Sequence, residues 1–87
     1  MNSFPLRKLI DALRKRFGAK VEFDKEVVGG MERFSFYLVS PRFKSLSHLK
    51  RQDAVWKVID SVLSREEALQ VSAVLVLVPG EIESLVK

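Results

Sequence analysis

The chain opens with apolar residues at helical spacing. Steps of three and four residues place side chains on one face of a helix, which predicts a helix over residues 4–17. Ser3 is the expected N-cap, Pro5 lies in the first turn and Gly18 ends the helix. The apolar positions are Leu6, Leu9, Ile10, Leu13 and Phe17.

Two segments of alternating polarity follow this helix. Residues 20–28 and 31–40 each alternate between apolar and polar side chains, which is typical of half-buried strands. Gly29 and Gly30 separate them and both tolerate positive φ, so they predict a two-residue turn. Pro41 ends the second segment. We therefore predict an antiparallel β-hairpin.

A second amphipathic helix is predicted after the hairpin. Ser45 or Ser47 can cap it, and it runs to about Leu63. Gln52 falls on its apolar side, so we expect this side chain to be half-buried and hydrogen-bonded. The apolar positions are Leu49, Val55, Trp56, Ile59, Val62 and Leu63.

A short helix and a strongly β-forming segment complete the pattern. Ser64 and Glu67 have the spacing of a capping box, which predicts a helix at about residues 65–70. Residues 71–78 are dense in β-branched side chains and are predicted to form a central strand, covered on at least one face. Residues 81–86 are predicted to form a last helical turn or two.

The predicted element order is α-β-β-α-α-β-α in a single domain, residues 1–87. Because helices join the second and third strands, we expect these two strands to be parallel and linked by a right-handed crossover. The fold class is therefore α+β, with a three-stranded mixed sheet and helices packed on one face. Apolar residues make up 47% of the chain, which suffices for a compact core.

The composition limits which metal sites and catalytic groups the chain can form. The sequence has no cysteine, which excludes disulfides, zinc–thiolate sites and cysteine nucleophiles. Its one histidine, His48, is expected on the surface in the first turn of the second helix. One histidine without clustered carboxylates makes a poor metal site. With no glycine-rich phosphate loop or nucleophile elbow, we expect no enzymatic activity, catalytic residue, metal or cofactor.

The net charge is +4, and the basic residues are concentrated in two segments. Residues 1–20 carry six basic residues against Asp11, and residues 42–57 carry five against Asp53. Such segments attract polyanions or simply solvate the surface. The N-terminal segment lacks the apolar run of a signal peptide, and the longest apolar run, 73–79, is too short for a membrane span. We expect a cytoplasmic protein without membrane association.

The segment from residue 43 to residue 56 resembles the signature of the BolA-like family, roughly F-x-G-x-S-x-x-x-R-H-x-x-V-Y. Ser45 replaces the glycine of that signature and Gln52 replaces its histidine. The resemblance covers about residues 4–84 and implies a BolA-like, type II KH-like fold. The matching residues are Phe43, Ser47, Arg51 and Val55, with Trp56 where an aromatic residue is usual.

The resemblance also implies a role. The family is non-enzymatic, binds monothiol glutaredoxins, helps to handle bridged [2Fe–2S] clusters, and includes stress-responsive transcription regulators. One cluster ligand is a histidine near the start of the last strand, where this chain has Ser72 or, with a different gap, Gln70. The other is a histidine or cysteine in the first hairpin loop, here residues 28–31. Since this chain offers neither thiolate nor imidazole at these positions, we expect it to contribute no cluster ligand.

Three hypotheses follow. The first is a small binding module, a stress-related regulator, that acts through protein–protein contacts as a monomer or weak dimer. The second is low-specificity nucleic-acid binding by the basic segment 42–57, which lacks the G-x-x-G loop of KH domains. The third is cluster handling with a monothiol glutaredoxin. Arg51 also has a structural interpretation, as the partner of a carboxylate or the cover of a sheet edge. The expected contact residues are Arg42, Lys44, His48, Lys50 and Arg51.

Overall fold

The computed structural model describes residues 4–80. The predicted element order is confirmed from the first helix to the third strand. The helical turn predicted at residues 81–86 lies outside the described residues. In chain order the elements are α1 (Leu6–Phe17), β1 (Lys20–Val28), β2 (Met31–Val39), a 3₁₀ turn (Pro41–Ser45), α2 (His48–Val62), α3 (Arg65–Ala68) and β3 (Val71–Leu77).

The three strands form one mixed sheet with the order β1-β2-β3. Strands β1 and β2 are antiparallel, with Val28 opposite Met31. The two residues between them, Gly29 and Gly30, have φ values of 59° and 80°. Two successive positive φ angles are characteristic of the predicted two-residue hairpin turn, which is confirmed. Strand β3 is parallel to β2, as the helical connection predicts.

The third strand is an edge strand, and its prediction as the central strand is wrong. Among the strands between residues 4 and 80, it pairs with β2 alone. Val71 and Val76 are buried, whereas Leu75 is 44% exposed. A run of β-branched residues indicates strand propensity, which central and edge strands share. Residue type alone therefore could not place this segment within the sheet.

The core lies between the sheet and the α1/α2 layer. Alternate residues of β2 face this layer and are buried, whereas Tyr37, between them, is exposed on the opposite face. Helices α1 and α2 contribute the residues that cover this side of the sheet. The central members of the core are Leu9, Leu13, Phe34, Phe36, Leu38, Phe43, Val55 and Ile59.

Helix α1 begins two residues later than predicted, with Pro5 as its N-cap. The ring of Phe4 stacks on that of Phe34 at a centroid distance of 4.3 Å, so Phe4 packs against the core instead of starting the helix. Ser3, the expected cap, lies outside the described residues. Gly18 ends the helix as predicted, because its φ of 58° is left-handed.

Side-chain caps set the start of the other two helices. Ser47, not Ser45, caps α2, because its Oγ accepts a hydrogen bond from the Lys50 N–H at 3.3 Å. The predicted capping box of Ser64 and Glu67 is present at α3. Helix α3 is shorter than predicted, since its last residue is Ala68.

The buried stripe of α2 differs from the predicted one. Leu49, placed on that stripe by its hydrophobicity, is 79% exposed, whereas Arg51 is only 5% exposed. The buried line consists of Arg51, Val55 and Ile59, which are four residues apart and share one face. Gln52 is half-buried and hydrogen-bonded, as predicted. The periodicity predicted the helix correctly, but the hydrophobicity of Leu49 led to its assignment to the buried face in the first turn.

We expect Ile59→Ala to lower the free energy of unfolding by about 2–5 kcal/mol, because it leaves a cavity at a fully buried position. Leu49→Ala on the same helix is the matched control and should change it by less than about 0.5 kcal/mol. Urea unfolding followed by far-UV circular dichroism measures both. Similar losses for the two variants would show that α2 presents a different face to the sheet.

Candidate functional site

The segment between β2 and α2, residues 40–51, is here called the entry segment. Its first residue, Ser40, is 1% exposed, and its Oγ donates to the Phe17 carbonyl at 2.8 Å and accepts from the Arg42 N–H at 3.2 Å. Phe43 is fully buried, with its ring centroid 5.1 Å from that of Phe17. The start of the entry segment is therefore anchored to the C-terminal end of α1.

Arg51 holds the entry segment from its other end. Its Nε lies 2.9 Å from the Phe43 carbonyl oxygen and 3.0 Å from the Leu46 carbonyl oxygen. Both carbonyls belong to the irregular backbone around the 3₁₀ turn, and a guanidinium supplies only donors. These bonds fix how the turn folds over the first turns of α2.

The burial of Arg51 corrects its assignment to the contact surface. At 5% exposure its side chain lies beneath the entry segment, where a partner cannot reach it. A basic residue next to Lys50 in a basic segment is ordinarily solvated, so the sequence favoured an exposed position. The structure supports a structural role instead, through backbone carbonyls.

The other four expected contact residues are exposed. Arg42 reaches back toward the end of α1, where its Nη1 lies 3.5 Å from the Arg16 carbonyl oxygen. That position also places its positive charge near the negative end of the α1 dipole. The structure thus keeps a basic surface on the entry segment, formed by Arg42, Lys44, His48 and Lys50.

Gln52, at the position of the family's histidine, binds the edge of the sheet. Its Nε2 donates to the Val74 carbonyl at 2.8 Å. The Leu77 carbonyl accepts from the Ser40 N–H on the β2 side of β3. Because carbonyls alternate in direction along a strand, that of Val74 points to the outer edge of β3. Gln52 therefore covers one acceptor on the exposed edge of the sheet.

The positions at which the resemblance implies cluster ligands carry no ligand side chain. Ser72 is exposed and forms the extra residue of a register irregularity, since Val71 pairs with Phe34 and Ala73 with Ser35. The amide of Gln70 donates to a backbone carbonyl of β2 at 3.2 Å. Within residues 4–80, no group of three or more His, Cys, Asp or Glu side chains could hold a metal ion.

Two cations that no motif predicted lie beside this surface. Lys15 and Arg16, in the last turn of α1, line a groove between α1 and α2 together with Lys50 and Lys57. The only sequence signal for them was the excess of basic residues in segment 1–20. Lys15 and Arg16 come close to the cations of α2 only because the two helices pack together, and the periodicity of the sequence does not predict how helices pack.

The face of the sheet opposite α1 and α2 carries a separate interaction. Tyr37 Oη donates to Asp24 Oδ2 at 2.9 Å, which ties β2 to β1. This hydrogen bond, together with the negative charge of Asp24, raises the pKa of Tyr37 above its ordinary value.

None of the helices between residues 4 and 80 has the length and apolar character that crossing a bilayer requires.

Solved structures share this architecture. No protein-family model matches the sequence, and no curated sequence matches it significantly. A "bol-like protein" from Babesia bovis has a TM-score of 0.66 and 26% identity, over 100% of this chain and 96% of that chain. The chain is BolA-like. BolA1 from Arabidopsis thaliana shares the fold, with a TM-score of 0.61 and 19% identity over 93% of this chain and 98% of its own.

The signature residues of this BolA-like chain have structural roles. Phe43 and Val55 are fully buried, Ser47 caps α2, and Arg51 binds the turn carbonyls. A family signature of this kind identifies the fold through its framework.

We expect Arg51→Ala to lower the free energy of unfolding by about 2–4 kcal/mol, because carbonyls of the turn lose a buried charged donor. Arg51→Lys should recover only part of this loss, since an ammonium cannot reproduce the position of Nε. Lys50→Ala, at the exposed neighbouring position, is the control and should be nearly neutral. Chemical unfolding monitored by Trp56 fluorescence measures all three. An Arg51→Ala variant as stable as the wild type would contradict the role assigned to Arg51.

Proposed function

We propose that this chain is a small, non-enzymatic BolA-like binding module that acts through protein–protein contacts of the entry segment. The observation that carries the proposal is a stiff basic surface. Ser40, Phe43 and Arg51 anchor the backbone of the segment, while the cations between them are exposed. A backbone that is already ordered loses little conformational entropy when a partner binds. The exposed residues are Arg42, Lys44, His48 and Lys50.

The polar side chains of the entry segment support binding rather than catalysis. Nucleophilic catalysis needs a nucleophile and a base within hydrogen-bond reach of each other. The Ser40 hydroxyl is engaged with the backbone of Phe17 and Arg42, and the Ser47 hydroxyl caps α2. His48 lies on the exposed first turn of α2. The two hydroxyls build the segment, and the exposed Arg42, Lys44, His48 and Lys50 are the groups that a partner meets.

A monothiol glutaredoxin is compatible with this proposal only as a partner that brings its own cluster ligands. The hydroxyl of Ser72 and the amide of Gln70 are poor iron ligands. The amide of Gln52 is already bound to the edge of β3. Docking without ligation therefore follows from the proposal, whereas cluster handling by this chain draws no support from its side chains.

The test is a quantitative affinity capture with the full chain as bait. The double variant Lys44→Glu/Lys50→Glu reverses two exposed charges of the entry segment and should lower partner recovery about tenfold. The matched control Arg7→Glu/Arg65→Glu makes the same charge change at exposed positions on α1 and α3 and should leave recovery unchanged. Equal recovery with both double variants would contradict the assigned surface.

Low-specificity nucleic-acid binding is the second candidate. The observation in its favour is that cations from α1 and α2 lie along one groove, so their positive potentials add. Such binding neutralises phosphates and carries no sequence information.

If nucleic acid is the ligand, the affinity for a labelled single-stranded oligonucleotide should fall steeply, by about tenfold or more, between about 50 and 200 mM salt. Fluorescence anisotropy with two unrelated base sequences checks this, and both should bind equally well. The absence of binding at the lower salt concentration would eliminate this candidate.

A further inference from the structure

A groove with a volume of about 680 Å³ runs between α1 and α2 and opens to solvent. Its apolar part contains Ala12 from α1, Leu46 from the entry segment, and Ala54 and Val58 from α2, all of them half-buried. Small side chains at Ala12 and Ala54 give the groove its depth. Apolar surface is thus available at the bottom of a concave site, which is the usual arrangement in protein recognition grooves.

The rim of the groove is basic. Lys15, Arg16, Lys50 and Lys57 line it, and Asp53 is the one acidic residue among the described lining residues. Lys57 Nζ lies 3.4 Å from Asp53 Oδ2, and both side chains are well exposed. Asp53 offsets one of the four positive charges, so the groove combines an apolar floor with a net positive rim. A matching ligand has an apolar surface that is flanked by acidic groups.

We propose that this groove binds an acidic amphipathic helix of a partner protein. Its lining residues extend along α2 from Lys50 to Ser61, which corresponds to roughly 16 Å, or about three turns of a docked helix. An amphipathic helix inserts apolar side chains at i, i+3, i+4 and i+7 into such a groove. Aspartate and glutamate residues flanking that stripe then meet the basic rim.

A nucleic acid matches the groove less well. A phosphate backbone can use the cations but gains nothing from the apolar floor. Bases bind through stacking on aromatic side chains, and none of the described residues that line the groove is aromatic. The floor therefore favours a polypeptide with apolar anchors. This inference rests on the proposed binding function and specifies the chemistry of the partner.

The test uses a fluorescein-labelled probe peptide of about 15 residues, the length at which an isolated helix becomes populated. It carries Leu at i, i+3, i+4 and i+7 and Glu at most other positions. A peptide of the same composition with a scrambled order removes the stripe while keeping the charge. Anisotropy titrations with the full chain measure both peptides, and a labelled 12-nucleotide oligouridine is measured in parallel.

The striped peptide should bind at least about tenfold more tightly than the scrambled one. Lys15→Glu/Lys57→Glu should weaken it by about tenfold, whereas the matched Arg7→Glu/Arg65→Glu control should not. Ala54→Gln fills the floor without changing the charge and should weaken the peptide while leaving oligouridine unaffected. Circular dichroism confirms that each variant is folded. Should Ala54→Gln fail to fold, Val58→Thr tests the same floor with a side chain of similar shape.

Three outcomes would overturn the inference. Equal binding of the striped and scrambled peptides would show attraction by charge alone. Tighter binding of oligouridine, weakened by Lys15→Glu/Lys57→Glu but not by Ala54→Gln, would assign the groove to nucleic acid. If neither peptide binds while partner capture still depends on Lys44 and Lys50, the groove inference fails and the binding function stands. If partner capture did not depend on Lys44 and Lys50 either, both the groove inference and the proposed binding function would fail.

Discussion

The hydrogen bonds of Arg51 to the Phe43 and Leu46 carbonyls are the constraint on which the candidate site depends. The chain must turn from the central strand into α2 within a few residues, and this turn leaves backbone acceptors in a largely buried place. Burying a guanidinium is costly unless its donors are used. Here the Nε–H of Arg51 serves both carbonyls, and the residue takes a position on the core-facing line of α2. The turn and the helix are thereby fixed relative to each other.

Fixing the turn also decides which side chains remain available to a partner. Phe43 points into the core and Ser40 is tied to the end of α1, whereas the cations of the segment, Arg42, Lys44 and Lys50, are exposed. The same packing brings the last turn of α1 alongside α2 and opens the groove with its apolar floor and basic rim. The entry segment and the groove share Leu46 and Lys50. A partner helix in the groove would therefore also contact the entry segment.

Much of the fold could be predicted from the sequence, because its elements have strong local signals. The glycine pair defined the hairpin, the capping box defined the start of α3, and periodicity defined α1 and α2. The errors arose where the environment overrides residue type. Arg51 is buried because a turn needs its donors, Leu49 is exposed in the first turn of α2, and β3 lies at an edge. The groove could not be predicted, since it depends on how two helices pack.

Gln52 stands where the BolA-like signature has a histidine, and its described contact in this fold is with the backbone of the sheet. The structural requirement at this position is a donor for the outward carbonyl of Val74 on the edge strand. A glutamine amide always offers that donor, whereas an imidazole offers it according to its tautomer and can also bind metals or exchange protons. Gln52 therefore satisfies this acceptor with a side chain that neither titrates nor binds metals as an imidazole does. Within the signature segment, Arg51 and Gln52 thus both bind backbone carbonyls, and the proposal assigns recognition to the exposed cations that lie beside them.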